Sequence, residues 1–187
     1  MKNTLLILSF ITILTLACKA QQPVAKLSSN KVNVGEESYT IQKSTTSLTK
    51  VVNDNNKLTN VKEIAPNLTP DIKMPGFMDF DKKILSQICA SAITLEALKK
   101  FPKEDASDFL YIFIKVNPKG DVIECEFLLK NNSLITISQI KEIEHNIKEK
   151  FKVKFKYGIE KSFEGANYFL LNAPIPYRDM LKIKEGK

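Results

Sequence analysis

The chain has one histidine, three cysteines and no apolar run long enough to cross a bilayer. Each shortage removes a class of function. A helix needs about 20 apolar residues to span the hydrocarbon core, and the longest run, Leu5 to Ala17, is about 13 and interrupted by Ser9, Thr12 and Thr15. A permanent membrane span is therefore not expected. Cys89, Cys125 and His145 lack the paired short spacings of structural zinc sites, so no metal is expected. No GxSxG, HExxH, phosphate-loop or dinucleotide-binding pattern occurs, and no cofactor is expected. His145 stands among Glu142, Glu144 and Glu149, which points to a solvated helix face rather than to a catalytic base.

What is present begins at the N-terminus. Lys2 gives a positive start, the 13-residue run follows, and Thr15-Leu16-Ala17-Cys18 ends it. The length and flanks fit a cleaved signal peptide. The sequence resembles a bacterial lipoprotein signal, with Ala17 before the cysteine and Thr15 where leucine is commonest. The resemblance implies cleavage before Cys18 and lipidation of that residue. Several acyl chains hold almost permanently, because each buried CH₂ contributes about 0.8 kcal/mol. A second reading cuts after Ala20, with Cys18 and Ala20 as the small residues, and releases a soluble secreted protein. Both export the chain. The lipoprotein reading places it in the cell envelope, with the outer membrane the expected site and the leaflet side open.

The chain carries 28 basic and 21 acidic residues, a net charge of +7. Such an excess suits anionic lipid or an acidic partner, but no aromatic-interleaved motif points to nucleic acid. Lys148, Lys150, Lys152, Lys154 and Lys156 form the densest basic comb, a candidate contact for anionic headgroups at about 1 kcal/mol each. The same comb would also serve as a solvated face or a guard on a sheet edge. In an exported protein Cys89 and Cys125 are a candidate disulfide if their Cα atoms come within about 7 Å; otherwise they are two buried free thiols.

Residues 18–73 are rich in Ser, Thr, Asn and Lys, including Ser44-Thr45-Thr46-Ser47 and Asn53-Asp54-Asn55-Asn56. Few large apolar side chains are available to offset ordering, so a mobile tether is expected, with a weak hairpin over 38–52. Composition changes at Met74-Pro75-Gly76-Phe77, and residues 74–187 read as one α+β domain. A helix is expected from Asp81 to Lys100, where Ile84, Leu85, Ile88, Ala92, Leu95 and Leu98 recur at helical spacing. Phe109 to Val116 and Asp121 to Leu129 flank Asn117-Pro118-Lys119-Gly120 and predict a hairpin. Thr136 and Gln139 form a capping box ahead of the Ile140-Ile143-Ile147-Phe151 stripe. Alternation over Phe151 to Tyr157 predicts a strand, and Tyr168 to Tyr177 an edge strand stiffened by Pro174 and Pro176. The order helix, strand, strand, helix, strand, strand gives a small antiparallel sheet with helices packed on one face.

Between Phe101-Pro102 and Pro174-Ile175-Pro176-Tyr177 this order, with its glycine-ended turn, resembles the TonB C-terminal domain family, over residues 101–177. The resemblance implies a fold and no energy transduction, since that family keeps an uncleaved membrane helix and a proline-rich span that this chain lacks. Fold alone does not assign an activity. Asp79/Asp81 and Glu124/Glu126 are acidic pairs with structural explanations, at a helix start and on the less apolar face of a strand. The expected function is a lipid-anchored, non-enzymatic binding or accessory module with an envelope protein partner. An exported hydrolase with a dispersed site is the alternative from another class.

Overall fold

Phe109–Val116 (β5) is the most apolar strand, and it lies inside the sheet because both of its faces can be buried or packed. It pairs antiparallel with Val122–Lys130 (β6) on one side and Phe169–Pro176 (β8) on the other. In the computed structural model, residues 21–28, 30–44, 47–69, 76–101, 108–156 and 158–186 are described. The signal segment, Cys18, Ala20, Thr45 and Thr46, Met74-Pro75, Pro102 and Tyr157 lie outside them. The remaining strands of the main sheet are Lys31–Val34 (β1), Glu37–Lys43 (β2) and Leu48–Asn53 (β3), giving the order β1-β2-β3-β6-β5-β8, antiparallel throughout. Met78–Asp79 (β4) and Lys154–Phe155 (β7) form a separate short pair.

Helices cover one face. Lys82–Ala92 (α1), Leu95–Lys100 (α2), Ile137–Lys150 (α3) and Tyr177–Lys184 (α4) pack with one another, and α1, α3 and α4 also contact sheet strands. Leu85, Ile88, Ile140, Ile143, Ile147 and Met180 meet Ile112, Ile114, Phe127 and Leu171 in one core. Burying each such side chain contributes about 1.5–3 kcal/mol. The expected α+β class, with an antiparallel sheet and helices on one face, is observed. No helix among the described residues is long and apolar enough to cross a membrane.

Local chemistry explains the boundaries. Asp81 caps α1 by accepting the Lys83 N–H at 2.8 Å. The single helix expected over 81–100 is two helices, because the β-branched pair Ile93-Thr94 breaks it and the Thr94 hydroxyl accepts the Ala97 N–H to start α2. The Thr136/Gln139 capping box is present at α3, with both reciprocal bonds. Thr136→Ala is expected to destabilise the fold by about 1 kcal/mol in urea denaturation; a change below about 0.3 kcal/mol would show that the cap is dispensable.

Gly120 ends the β5–β6 turn at φ 84°, and a Cβ there would collide with the Val153 carbonyl oxygen. This contact explains a shortened strand. Phe151 and Val153 are buried as the alternation predicts, but their N–H groups go to Ile147 O and Gly120 O. Only Lys154 and Phe155 join a ladder, so the expected strand from Phe151 shrinks to two residues. Phe155 and Phe163 then close that end of the sheet, with ring centroids 5.3 and 4.9 Å from Phe169.

Residues 31–53 depart most from expectation. They fall within the segment expected as a mobile tether with a weak hairpin over 38–52; that hairpin is present as β2–β3, and with β1 it supplies three of the six strands of the main sheet. A strand needs one apolar face, and Val32, Tyr39, Ile41 and Val51 provide it. Two buried polar side chains find distant partners: Thr49 donates to Asn131 Oδ1 at 2.7 Å, and Asn53 Nδ2 to Glu144 at 3.1 Å. The domain therefore begins well before residue 74. At its entry, Pro23 bridges Thr136 and the Val24 N–H donates to Ile135 O at 2.8 Å.

Candidate ligand groove on the open sheet face

Alternation along β5 sends Leu110, Ile112, Ile114 and Val116 toward the helices and Tyr111, Phe113 and Lys115 to the other face. Register fixes what stands beside them. Lys115 is opposite Glu124, Phe113 opposite Glu126, and Tyr111 opposite Leu128. On the far side of β6, Lys50 is opposite Leu128 and Val52 opposite Glu126. The open face thus carries a charged cluster inside an apolar surround.

Lys115 is only 4% exposed, and its ammonium donates to Glu126 Oε1 at 2.8 Å and Glu124 Oε2 at 3.3 Å. Lys50 reaches the second Glu126 oxygen at 2.6 Å. Glu124 also accepts the backbone N–H groups of Lys57 and Leu58, at 2.5 and 2.9 Å. Those bonds pull the loop 54–64 over the sheet. Asn56 Nδ2 on Cys125 O at 2.8 Å and the Tyr168 hydroxyl on Val61 O at 2.6 Å hold it there. The Tyr168 ring lies 5.6 Å from the Lys115 ammonium.

Electrostatics follow from this packing. Burial alone would raise the Glu126 pKa, but hydrogen bonds and charge from Lys115 and Lys50 outweigh it and hold the carboxyl below its ordinary range. Burial raises the Tyr168 phenol, with the Lys115 charge opposing. Both therefore keep their usual forms at neutral pH.

The loop and sheet enclose a groove of about 360 Å³. Phe113, Leu128, Tyr168 and Leu170 form its walls, and Lys115 and Glu126 its floor. Lys50 and Thr59 stand at the side, and Thr59 Oγ1 is buried with no hydrogen-bond partner among the described residues. Tyr111 and Leu170 are 37% and 36% exposed, so the apolar surround reaches the solvent. A second hollow of about 510 Å³ lies where Gln21 and Pro23 meet α2 and the start of α3.

The residues singled out from sequence are scattered. His145 has a 76% exposed side chain on α3, with Glu149 its ion-pair neighbour at 3.7 Å. All five lysines of the comb are exposed, and three have local partners: Lys148 binds Glu144 at 2.6 Å, Lys150 binds Asn146 at 2.6 Å, and Lys152 binds Asp121 at 2.7 Å. Lys154 and Lys156 are exposed around β7. Cys89 and Cys125 are both buried as free thiols. Burial pushes Cys89 up to about 12, and burial with the Glu144 charge raises Cys125, so neither is a thiolate nucleophile at neutral pH. Among the described residues no group of three or more His, Cys, Asp or Glu side chains is placed to hold a metal ion. Of the expected pair, Asp81 caps α1, whereas Asp79 lies exposed in β4 opposite Lys154.

Glu124 and Glu126 do come together, but with Lys115 and Lys50, which sequence reasoning left out. A signal was available. A lysine ending an apolar strand, with glutamates nine and eleven residues later across a tight turn, must meet them in antiparallel register.

No family model matches the chain, and no curated protein matches it. Among solved structures, it is similar to a DUF5043 family protein from Bacteroides uniformis ATCC 8492, with a TM-score of 0.64 and 19% identity, over 83% of this chain and 89% of that one. At this identity the likeness shows a shared α+β fold alone.

Proposed function

We propose that the protein is an exported, lipid-anchored binding module of the cell envelope, held to the outer membrane through Cys18, that takes its ligand on the open face of the sheet. The groove supports the binding half of this reading: a sheet covered by helices on one side presents, on the other, apolar walls around a buried cation. The anchor half rests on Leu14-Thr15-Leu16-Ala17-Cys18. The likeness of residues 101–177 to the TonB C-terminal domain family enters as shared arrangement only. Its support is the strand, turn, strand, helix, strand order and the stacking of Phe101 on Tyr177 at 3.8 Å.

Cys18→Ser is the test of the anchor. The expected result is transfer of nearly all the protein from the membrane to the soluble envelope fraction, with loss of the acyl mass at the N-terminus. Unchanged partitioning together with an unmodified wild-type N-terminus at Gln21 would establish the secreted form instead.

A further inference from the structure

The charges under the groove cancel. Lys115 bonds Glu126 and Glu124, and Lys50 bonds the second Glu126 oxygen, so two ammonium groups stand against two carboxylates. Glu124 also accepts the backbone N–H groups of Lys57 and Leu58. At the β8 end, Glu63 accepts the Leu170 N–H at 3.1 Å. The Thr59 hydroxyl oxygen is itself buried, so it offers an incoming head group nothing. Such a floor draws in neither ion: a charge brought onto it meets both signs at once and loses its hydration without return.

What the groove does offer is apolar and long. Its lining comes from four adjacent strands, with Lys50 on β3, Leu128 on β6, Phe113 on β5 and Leu170 on β8. Three interstrand spacings make that about 14 Å across. Leu170 is 36% exposed, and covering such apolar surface is favourable in proportion to its area. A volume of about 360 Å³ over that length leaves width for one hydrocarbon chain, not for the paired chains of a bilayer lipid or for a folded partner.

Resting on the reading of this face as the binding face, we propose that the groove holds the hydrocarbon chain of a small single-chain lipid. The chain lies across the strands along Leu128, Phe113 and Leu170, beside the aliphatic stem of Lys50, and its head stays in water. Selection is by length and apolarity, and the sign of the head counts for nothing.

The full chain carrying Cys18→Ser keeps acyl groups out of the assay and separates this test from that of the anchor, which membrane fractionation reads on its own. Butan-1-ol, hexan-1-ol, octan-1-ol, octanoate and octylamine are titrated by calorimetry and by amide NMR shifts, each below its aggregation concentration. Octan-1-ol is expected to give saturable shifts at Phe113, Leu128 and Leu170. Affinity should rise at least about twofold per CH₂ from butanol to octanol, as each group leaves water. Octanoate and octylamine should match octanol within about threefold in low and high salt alike, because cancelled charges leave no net field to screen. Leu170→Asn should weaken all three eight-carbon ligands at least about fivefold. Retained NMR dispersion certifies the fold of the variant. Absence of saturable shifts at the three residues overturns the proposal, as does an affinity flat in chain length. A preference of about tenfold for either ion overturns it too, since charge would then select the ligand. Saturable shifts confined to the helix face would overturn both this proposal and the reading of the open face.

Discussion

Lys115→Met is expected to lower the stability of the domain by about 3–5 kcal/mol at pH 7, the range seen when one partner of a buried ion pair is removed. The methionine fills nearly the same volume, so the loss comes from charge. Glu124 and Glu126 would remain 7% and 5% exposed, on neighbouring positions of one strand face, without the cation between them. Lys50 would still hold Glu126, and two backbone N–H groups would still hold Glu124, which keeps the loss from being larger.

The pH dependence carries a sign that cavity formation would not. In the native protein Glu126 titrates below its unfolded value, so its contribution is complete above about pH 4.3 and is lost as pH falls through the folded value. In the variant Glu126 loses the Lys115 hydrogen bond and charge that hold its pKa down, so burial pushes it the other way and the penalty is relieved by proton uptake as pH falls. The stability gap between the two proteins should therefore shrink between pH 7 and pH 4. Urea titrations at several pH values read this directly; a gap under 1 kcal/mol at pH 7, or one independent of pH, would defeat the account.

The second large effect is expected at Glu144, which is 2% exposed on α3. Its carboxylate accepts the Tyr39 hydroxyl at 3.0 Å, Asn53 Nδ2 at 3.1 Å and the Lys148 ammonium at 2.6 Å. These bonds tie the helix layer to β2 and β3. The Tyr39 phenol is raised far above its ordinary range, first by burial and then by the Glu144 and Glu37 charges, so it stays a donor.

Glu144→Ala removes an acceptor from two buried donors and opens a cavity, for an expected loss of about 3–4 kcal/mol. Glu144→Gln keeps an acceptor and should cost about half as much. Hydrogen exchange should locate the damage, with amides of β1 and β2 losing protection before those of β5. Uniform loss of protection across the sheet would contradict the view that Glu144 secures the N-terminal strands.

How much of this was legible in the sequence depended on which forces acted locally. Phe109–Val116, its turn through Gly120 and the Thr136/Gln139 cap follow from periodicity and short-range bonds, and all appear in place. Within residues 31–53 the hairpin over 38–52 was legible, but β1 and the docking of the hairpin onto the sheet were hidden, because apolar side chains are few there and buried polar groups find partners far away, Thr49 on Asn131 and Asn53 on Glu144. A composition that suggests disorder in isolation becomes strand once β6 offers an edge. The groove was partly readable, since a hairpin fixes Lys115 against Glu124 and Glu126. The contributions of Lys50 and Thr59 were not, because they depend on β3 docking and on the loop after it.

The bridge between Pro23 and Thr136 fixes the scale of any leash. Pro23 is five residue steps from Cys18, which fully extended reach only about 17 Å. A tether of some fifty residues would let the domain roam the space beside its membrane and meet partners at a distance. With the strands of residues 31–53 folded into the sheet, the proposed anchor at Cys18 would instead make the domain a fixture of the surface. It would hold its open face at a nearly constant height and meet only what comes to the lipid.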